Sequence, residues 1–215
     1  MTDNANTTET EPTGLLLAHR AMLRDLDRVA DLAAREAGRR LERRRAAAVA
    51  DYVTDLCDSI HHHHSAEDEV LWPVLERSAG AHVDLTELTD DHAVLDPKLA
   101  RIRDGAASLR AAGLFPAPLA ADLADLRDTL REHIEDEERS IVPLIRRYVT
   151  RADWSRVEAT IRKHGAKMSF EVPRILAVST DRELAEFRAE GGIPFAVMVR
   201  VLPPMFRRRE RRVFA

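Results

Sequence analysis

Between residues 14 and 149 the apolar positions recur at alternating spacings of three and four, the rhythm of helices that each turn one face toward a shared core. Four such stretches are predicted, over about Gly14–Ala37, Leu41–Ser78, Thr86–Ala111 and Ala117–Val149. Gly38, Gly80 and Gly113, with Pro116 and Pro118, fall between them and suit short loops joining antiparallel neighbours. The first stripe reads Leu15, His19, Met22, Leu26, Val29, Ala33, and the second Val49, Val53, Leu56, Ile60, His63, Glu67, Val70, Val74. The third is Leu88, His92, Leu95, Leu99, Ile102, Ala106, Leu109, and the fourth Leu119, Leu123, Leu126, Leu130, His133, Glu137, Ser140, Leu144. The pattern predicts an all-α fold, an antiparallel four-helix bundle, in which histidine and glutamate stand in slots otherwise held by aliphatic residues.

After Thr150 the heptads stop. Ser155 with Glu158 and Thr180 with Glu183 read as capping boxes, predicting additional C-terminal helices over Trp154–Lys167 and Asp181–Ala189. The expected organisation is a disordered polar arm over residues 1–12, the bundle over 13–149, and a helical extension over 150–215 with a basic tail, Arg207–Arg212. The extension is expected to pack as a lid over the bundle or as a dimer surface, for a homo-oligomer or partner contact. The tail reads either as a solvated end or as a contact for a partner or an anionic surface.

Composition supports long helices: 45% of the 215 residues are hydrophobic, 33% are charged, 5% are aromatic, and only 8 are glycine. The net charge of −4 gives no global positive field, so nucleic acid is not an expected partner. One cysteine, Cys57, cannot form an internal disulfide, and Met1–Pro12 lacks the charged-then-apolar plan of a secretory signal, so a cytoplasmic location is expected. The longest nearly apolar run, Gly192–Met198 continuing past Arg200 to Leu202, falls short of the roughly 20 residues of a membrane span.

The polar core residues are duplicated. His63, Glu67, Pro73 and Arg77 recur 70 positions later as His133, Glu137, Pro143 and Arg147, with Asp68/Glu138 and Leu71/Ile141 also matching. More weakly, His19 and His92 each carry apolar residues three and seven positions on. Two helix pairs related by a pseudo-twofold axis would bring both His-xxx-Glu elements to one level of the core. Burying an unpaired carboxylate costs several kcal/mol, so something must compensate these groups. Spacing i, i+4 places each imidazole and carboxylate on one face, where they can ligate one ion or two adjacent ions, and the mixed donors suit iron or manganese. A helix cannot point all of His61–His64 inward: at about 100° per residue, His64 lies near Ile60 and Leu71 at the core, while His61 and His62 turn to solvent. His82 and His164 have no such partners and read as surface residues, and Tyr52, about three turns from His63, is too far to share its ion.

The ordered set of His19, then His63-His64-Ser65-Ala66-Glu67-Asp68 ending at Trp72-Pro73, then His92, then His133 and Glu137 ending at Pro143, resembles the hemerythrin-like HHE cation-binding domain. The resemblance covers about residues 14–149. It implies a four-helix bundle with two non-haem iron ions, oxo- or hydroxo-bridged, in which Glu67 and Glu137 bridge and His19, His63, His64, His92 and His133 are terminal ligands. In the oxygen-carrier branch the third helix supplies two histidines four apart, whereas here Asp96-Pro97 follows His92. That pair reads as the cap and first turn of a restarted helix or, alternatively, Asp96 is an extra ligand. Stable oxygen carriage is therefore not expected. The expected surroundings, Leu23, Ile60, Leu71, Leu95, Leu130 and Ile134, are apolar and favour a small diatomic ligand or peroxide. The leading reading is a di-iron protein that binds or senses dioxygen or reactive oxygen and nitrogen species. The alternatives are a peroxidase- or catalase-like enzyme and an iron-holding interaction module.

Overall fold

The computed structural model describes residues 9–163 and 165–215, with the backbone alone over 186–195. Helix α1 spans Thr13–Glu36 and α2 spans Arg43–Ala66. A π-helical turn, Glu67–Leu71, runs on into α3, Trp72–Ala79, so these three pieces form the second rod of the bundle. Helix α4 (Thr86–Ala112) and α5 (Ala117–Tyr148) supply the other two. The rods pack in a ring, α1 on α2, α2 on α4, α4 on α5 and α5 back on α1.

At one end the two helix connections are zipped together. Gly113 sits at φ 68°, the left-handed conformation that closes a helix and that glycine adopts without a Cβ clash, and its N–H returns to the Leu109 carbonyl. Its carbonyl accepts from Leu41, Phe115 donates to Arg39, and Gly38 donates to Phe115. This fixes the antiparallel registry from which the site at the far end is built.

Two apolar clusters stack along the bundle axis. The larger includes Leu26, Val49, Val53, Leu56, Ile102, Leu123 and Leu126. The smaller, toward the opposite end, joins Leu71, Trp72, Leu75, Leu88, Ile141 and Ile145 to Trp154 and Val157 of α6 (Arg151–Lys163), which closes that end. Past the site the buried stripes fall one residue later than the heptads suggest: Leu71, Leu75, Ile141 and Ile145 are buried, whereas Val70, Val74 and Leu144 are half-buried and Ser140 is exposed. A straight helix of 3.6 residues per turn drifts away from a 3.5-residue pattern, and in the second rod the π turn adds to the drift.

Four expectations change. Helix α4 runs unbroken through Pro97, so Asp96 does not cap a restarted helix. Thr150, not Ser155, opens α6, its hydroxyl accepting from Asp153 N–H at 3.1 Å. An unanticipated helix, α7, spans Met168–Val178. The last helix, α8, opens at Asp181 with the expected Thr180–Glu183 capping box but continues to Phe214, through Gly191-Gly192 and Pro203-Pro204. Proline inside a helix costs roughly 3 kcal/mol. Packing offsets this: Phe206 and Val213 are buried, Arg209 reaches Asp55 at 2.6 Å, and Glu210 pairs with Arg28.

Helices α7 and α8 lie along α1 and α2, side by side with the bundle and not over its end. Their anchor is Arg174, fully buried, which donates to Asp25 at 2.5 Å and to Ser59 at 2.8 Å. Tyr52 is buried beneath this layer against Phe170, Phe206 and Phe214. The tail is thus divided: Arg209 and Glu210 face the bundle, and Arg207, Arg208, Arg211 and Arg212 face solvent. Residues 1–8 of the expected polar arm lie outside the described residues, but packing begins ahead of residue 13, because buried Thr10 donates to the Val149 carbonyl at 2.7 Å. No described helix is long and apolar enough to cross a membrane.

Candidate metal centre

All four rods contribute at the level where the two apolar clusters meet. Helix α1 brings His19, the end of α2 brings His63 and His64, the π turn opens with Glu67, α4 brings His92, and α5 brings His133 and Glu137. The structure gathers the seven sequence-derived candidates into two groups, each with its donor atoms within 4.8 Å of one another: His19, His63, Glu67 and Glu137, and beside them His64, His92 and His133.

The carboxylates span the two groups. Glu67 places Oε1 2.8 Å from His63 Nε2 and 3.8 Å from His19 Nε2, while its Oε2 lies 3.7 Å from His92 Nε2. Glu137 Oε2 stands 3.3 Å from His19 Nε2 and 3.8 Å from His133 Nε2. Glu67 and Glu137 are 2% and 0% exposed, yet neither oxygen of either carboxylate has a hydrogen-bond partner, nor does His64 Nε2. Leaving a buried acceptor unsatisfied costs about 1–3 kcal/mol, more when it is charged.

The imidazoles carry the same message through their other nitrogen. His19 Nδ1 lies 2.9 Å from Glu138, His92 Nδ1 2.9 Å from Asp68, and His133 Nδ1 3.3 Å from Asp91. A carboxylate can only accept, so each Nδ1 is the donor and in the neutral ring each Nε2 presents a lone pair. Two such lone pairs face each other across 3.2 Å between His92 and His133. Facing lone pairs repel unless a cation lies between them. The donor set therefore fits metal ions, with nitrogens and carboxylate oxygens of the kind that suit iron or manganese.

Electrostatics follow the same division. Burial opposes charge on His19, but the nearby carboxylates, Glu137 above all and then Glu138 and Glu67, hold it well above its ordinary value. Burial and the facing His63, His92 and His133 hold His64 well below, despite Glu67. Burial also leads in lowering His133. Burial would raise Glu67, but His63, His19 and His64 outweigh it and keep the carboxyl well below its usual range.

The carboxylates behind the imidazoles were not singled out from the sequence, although the duplication marked two of them. Asp68 directly follows Glu67 and reaches across to His92, and Glu138 directly follows Glu137 and reaches across to His19. The pseudo-twofold thus extends to the orienting residues. Asp91 has no counterpart in the repeat and carried no signal. Trp72 stacks on His92 with ring centroids 5.9 Å apart and planes 15° apart, fixing the ring from a third side.

The π turn was also unanticipated. Trp72 N–H bonds to the Glu67 carbonyl, five residues back, and Pro73 has no N–H to restore the tighter register. Pro143 stands at the matching place in α5, which remains α-helical, so proline alone does not produce the turn. Of the other candidates, His61 is exposed and meets exposed Asp96 at 3.1 Å, which places Asp96 on the surface and outside both groups. His62 is half-buried, and His82 is exposed and stacks on Tyr148. His164 lies outside the described residues.

The sequence model of the hemerythrin HHE cation binding domain matches residues 13–145. No curated protein and no solved structure gives a significant match.

Proposed function

The chain belongs to the hemerythrin HHE cation-binding domain family, and from that premise we propose that it is a non-haem di-iron protein that binds or senses dioxygen or reactive oxygen and nitrogen species. One observation carries the reading: two groups of buried donors share the unpartnered carboxylates of Glu67 and Glu137. In this reading those glutamates bridge, His64, His92 and His133 hold one ion, and His19 and His63 hold the other. A bound pair of irons would supply electron transfer to a small oxygen- or nitrogen-containing ligand.

The chain's own residues shape the rest. The group with three imidazoles is the more nearly filled, so the His19 and His63 side has the room for an outside ligand. Ile60, Leu71, Leu95, Leu130 and Ile134 are all buried, which excludes water and favours a small neutral ligand over a charged one. Glu138, Asp68 and Asp91 orient their imidazoles and draw the Nδ1 protons away from the centre. The bundle of residues 13–149 carries the site, α6 closes its end, and α7 and α8 clamp α1 and α2 from outside.

The test is anaerobic titration of the purified chain with Fe2+, followed by metal analysis and visible spectra after exposure to oxygen, peroxide and nitric oxide. The expected outcome is about two irons per chain, irreversible oxidation in air, and loss of most iron in Glu67→Ala and Glu137→Ala. Stoichiometric iron that persists in both variants would overturn the assignment. A long-lived oxygen adduct that bleaches under argon would restore a carrier role.

A further inference from the structure

A groove of about 650 Å3 runs between α4 and α5 on the outside of the bundle. Its walls carry five carboxylates, Asp84, Glu87, Asp91, Glu132 and Asp136, against one cation, Arg139, which pairs with Asp136 at 2.5 Å. His133 also lines it, though only 3% exposed. Behind His133 stand the unpartnered oxygens of Glu137, the nearer 3.8 Å from His133 Nε2, and the unpartnered Nε2 of His64. An acidic surface groove thus abuts buried donors that lack partners.

On the opposite side of the centre the charges are already paired off, Arg174 with Asp25 and Glu171, and Arg20 with Glu183. There α7 places Arg174 against Ser59, one turn before His63, and Arg20, next to His19, is tied to the Val178 carbonyl and Glu183. That side also holds the most exposed candidate ligand, His63, at 14%. A cation approaching there would meet carboxylates already held by guanidinium groups, whereas one entering the α4–α5 groove would be drawn along a wall of five carboxylates with one cation among them.

We propose that this groove is the entry path of the divalent cation, with Asp91 handing it from the groove to the buried donors as His133 turns aside. Asp91 is placed for this, since its side chain is 46% exposed while its Oδ2 contacts His133 Nδ1 at 3.3 Å. The proposal rests on the metal-binding reading above, and its test separates the two. Fe2+ is added anaerobically to the chelator-stripped full chain, and uptake rate and final iron content are measured separately, at low and at about 1 M salt, where the Debye length is only about 3 Å.

Glu87→Gln with Glu132→Gln should slow uptake by about tenfold at low salt, and wild type and variant should converge at high salt, with final iron content unchanged in both. Asp31→Asn with Asp104→Asn removes two exposed carboxylates about 18 Å further along the bundle and should leave the rate as it is. Asp91→Asn keeps a hydrogen-bond acceptor for His133 but not the charge, and it too should load slowly at low salt. Full loading at an unchanged rate in the groove variants overturns the path and directs entry to His63. A wild type that takes up no iron instead defeats the metal reading itself.

Discussion

Replacing Glu137 by leucine should change stability in opposite directions according to whether metal is present. Glu137 is wholly buried and its two oxygens have no hydrogen-bond partner, so without an ion its carboxylate has lost water and gained only the attraction of His19, 3.3 Å away. Exchanging both members of a buried ion pair for apolar residues of similar volume is often neutral or gains about 1–4 kcal/mol. Here the lower end applies, because only Glu137 is exchanged and buried His19, its main partner, must give up its charge. Under strong chelation, then, Glu137→Leu should be about 1 kcal/mol more stable than the wild type. Iron reverses the order: a ligand at one hundred times its dissociation constant adds about 2.7 kcal/mol to the form that binds it, and the variant lacks a bridging group. At roughly 2–4 °C per kcal/mol for a chain of this size, the wild type should rise by about 5–11 °C on loading while the variant scarcely moves. Thermal melts with chelator and with excess Fe2+, each read by far-ultraviolet circular dichroism, provide the measurement. A variant less stable than wild type under chelation, or one that gains as much from iron, would refute the claim that these carboxylates await a cation.

Three further outcomes are expected. Asp68→Ala and Glu138→Ala should each weaken metal affinity about 10–100-fold in chelator competition, with Asp68→Asn and Glu138→Gln recovering part of it, because the amide oxygen still accepts from Nδ1. Arg174→Met should cost about 3 kcal/mol in urea unfolding, since it leaves buried Asp25 with only the more distant Arg28 and Arg24 at 3.5 and 3.6 Å, whereas Arg174→Met with Asp25→Leu should recover most of the loss. Glu183 is held at about 2: burial would raise it, but the Thr180 N–H, Arg20 and the Thr180 hydroxyl outweigh burial. Its folded value is depressed, so its stabilisation is complete above the usual carboxylate value and is lost as pH falls through about 2. Amide exchange in the first turn of α8 should therefore quicken across that window, and Glu183→Gln should remove the pH dependence.

The sequence by itself determined the four rods and the set of polar residues they bury. Alternating spacing forces one helix face inward, so His19, Glu67, His92, His133 and Glu137 were legible as core residues before any contact was known. Duplication then placed the two His-xxx-Glu elements at one level. Local spacing could not say how the donors divide, because that depends on which rods are neighbours: His64 joins His92 and His133 across α2, α4 and α5, and His19 joins His63 across α1 and α2. The helix C-terminal to Pro203-Pro204 was illegible for the same reason, as local propensity ends a helix there while contacts with α1 and α2 carry it on to Phe214. Asp91 is the clearest case. On its own helix it is one more charged residue beside a histidine, and only the packing of α4 on α5 turns its carboxylate toward His133, because hydrogen-bond geometry between rods is set by their crossing and not by spacing along either one.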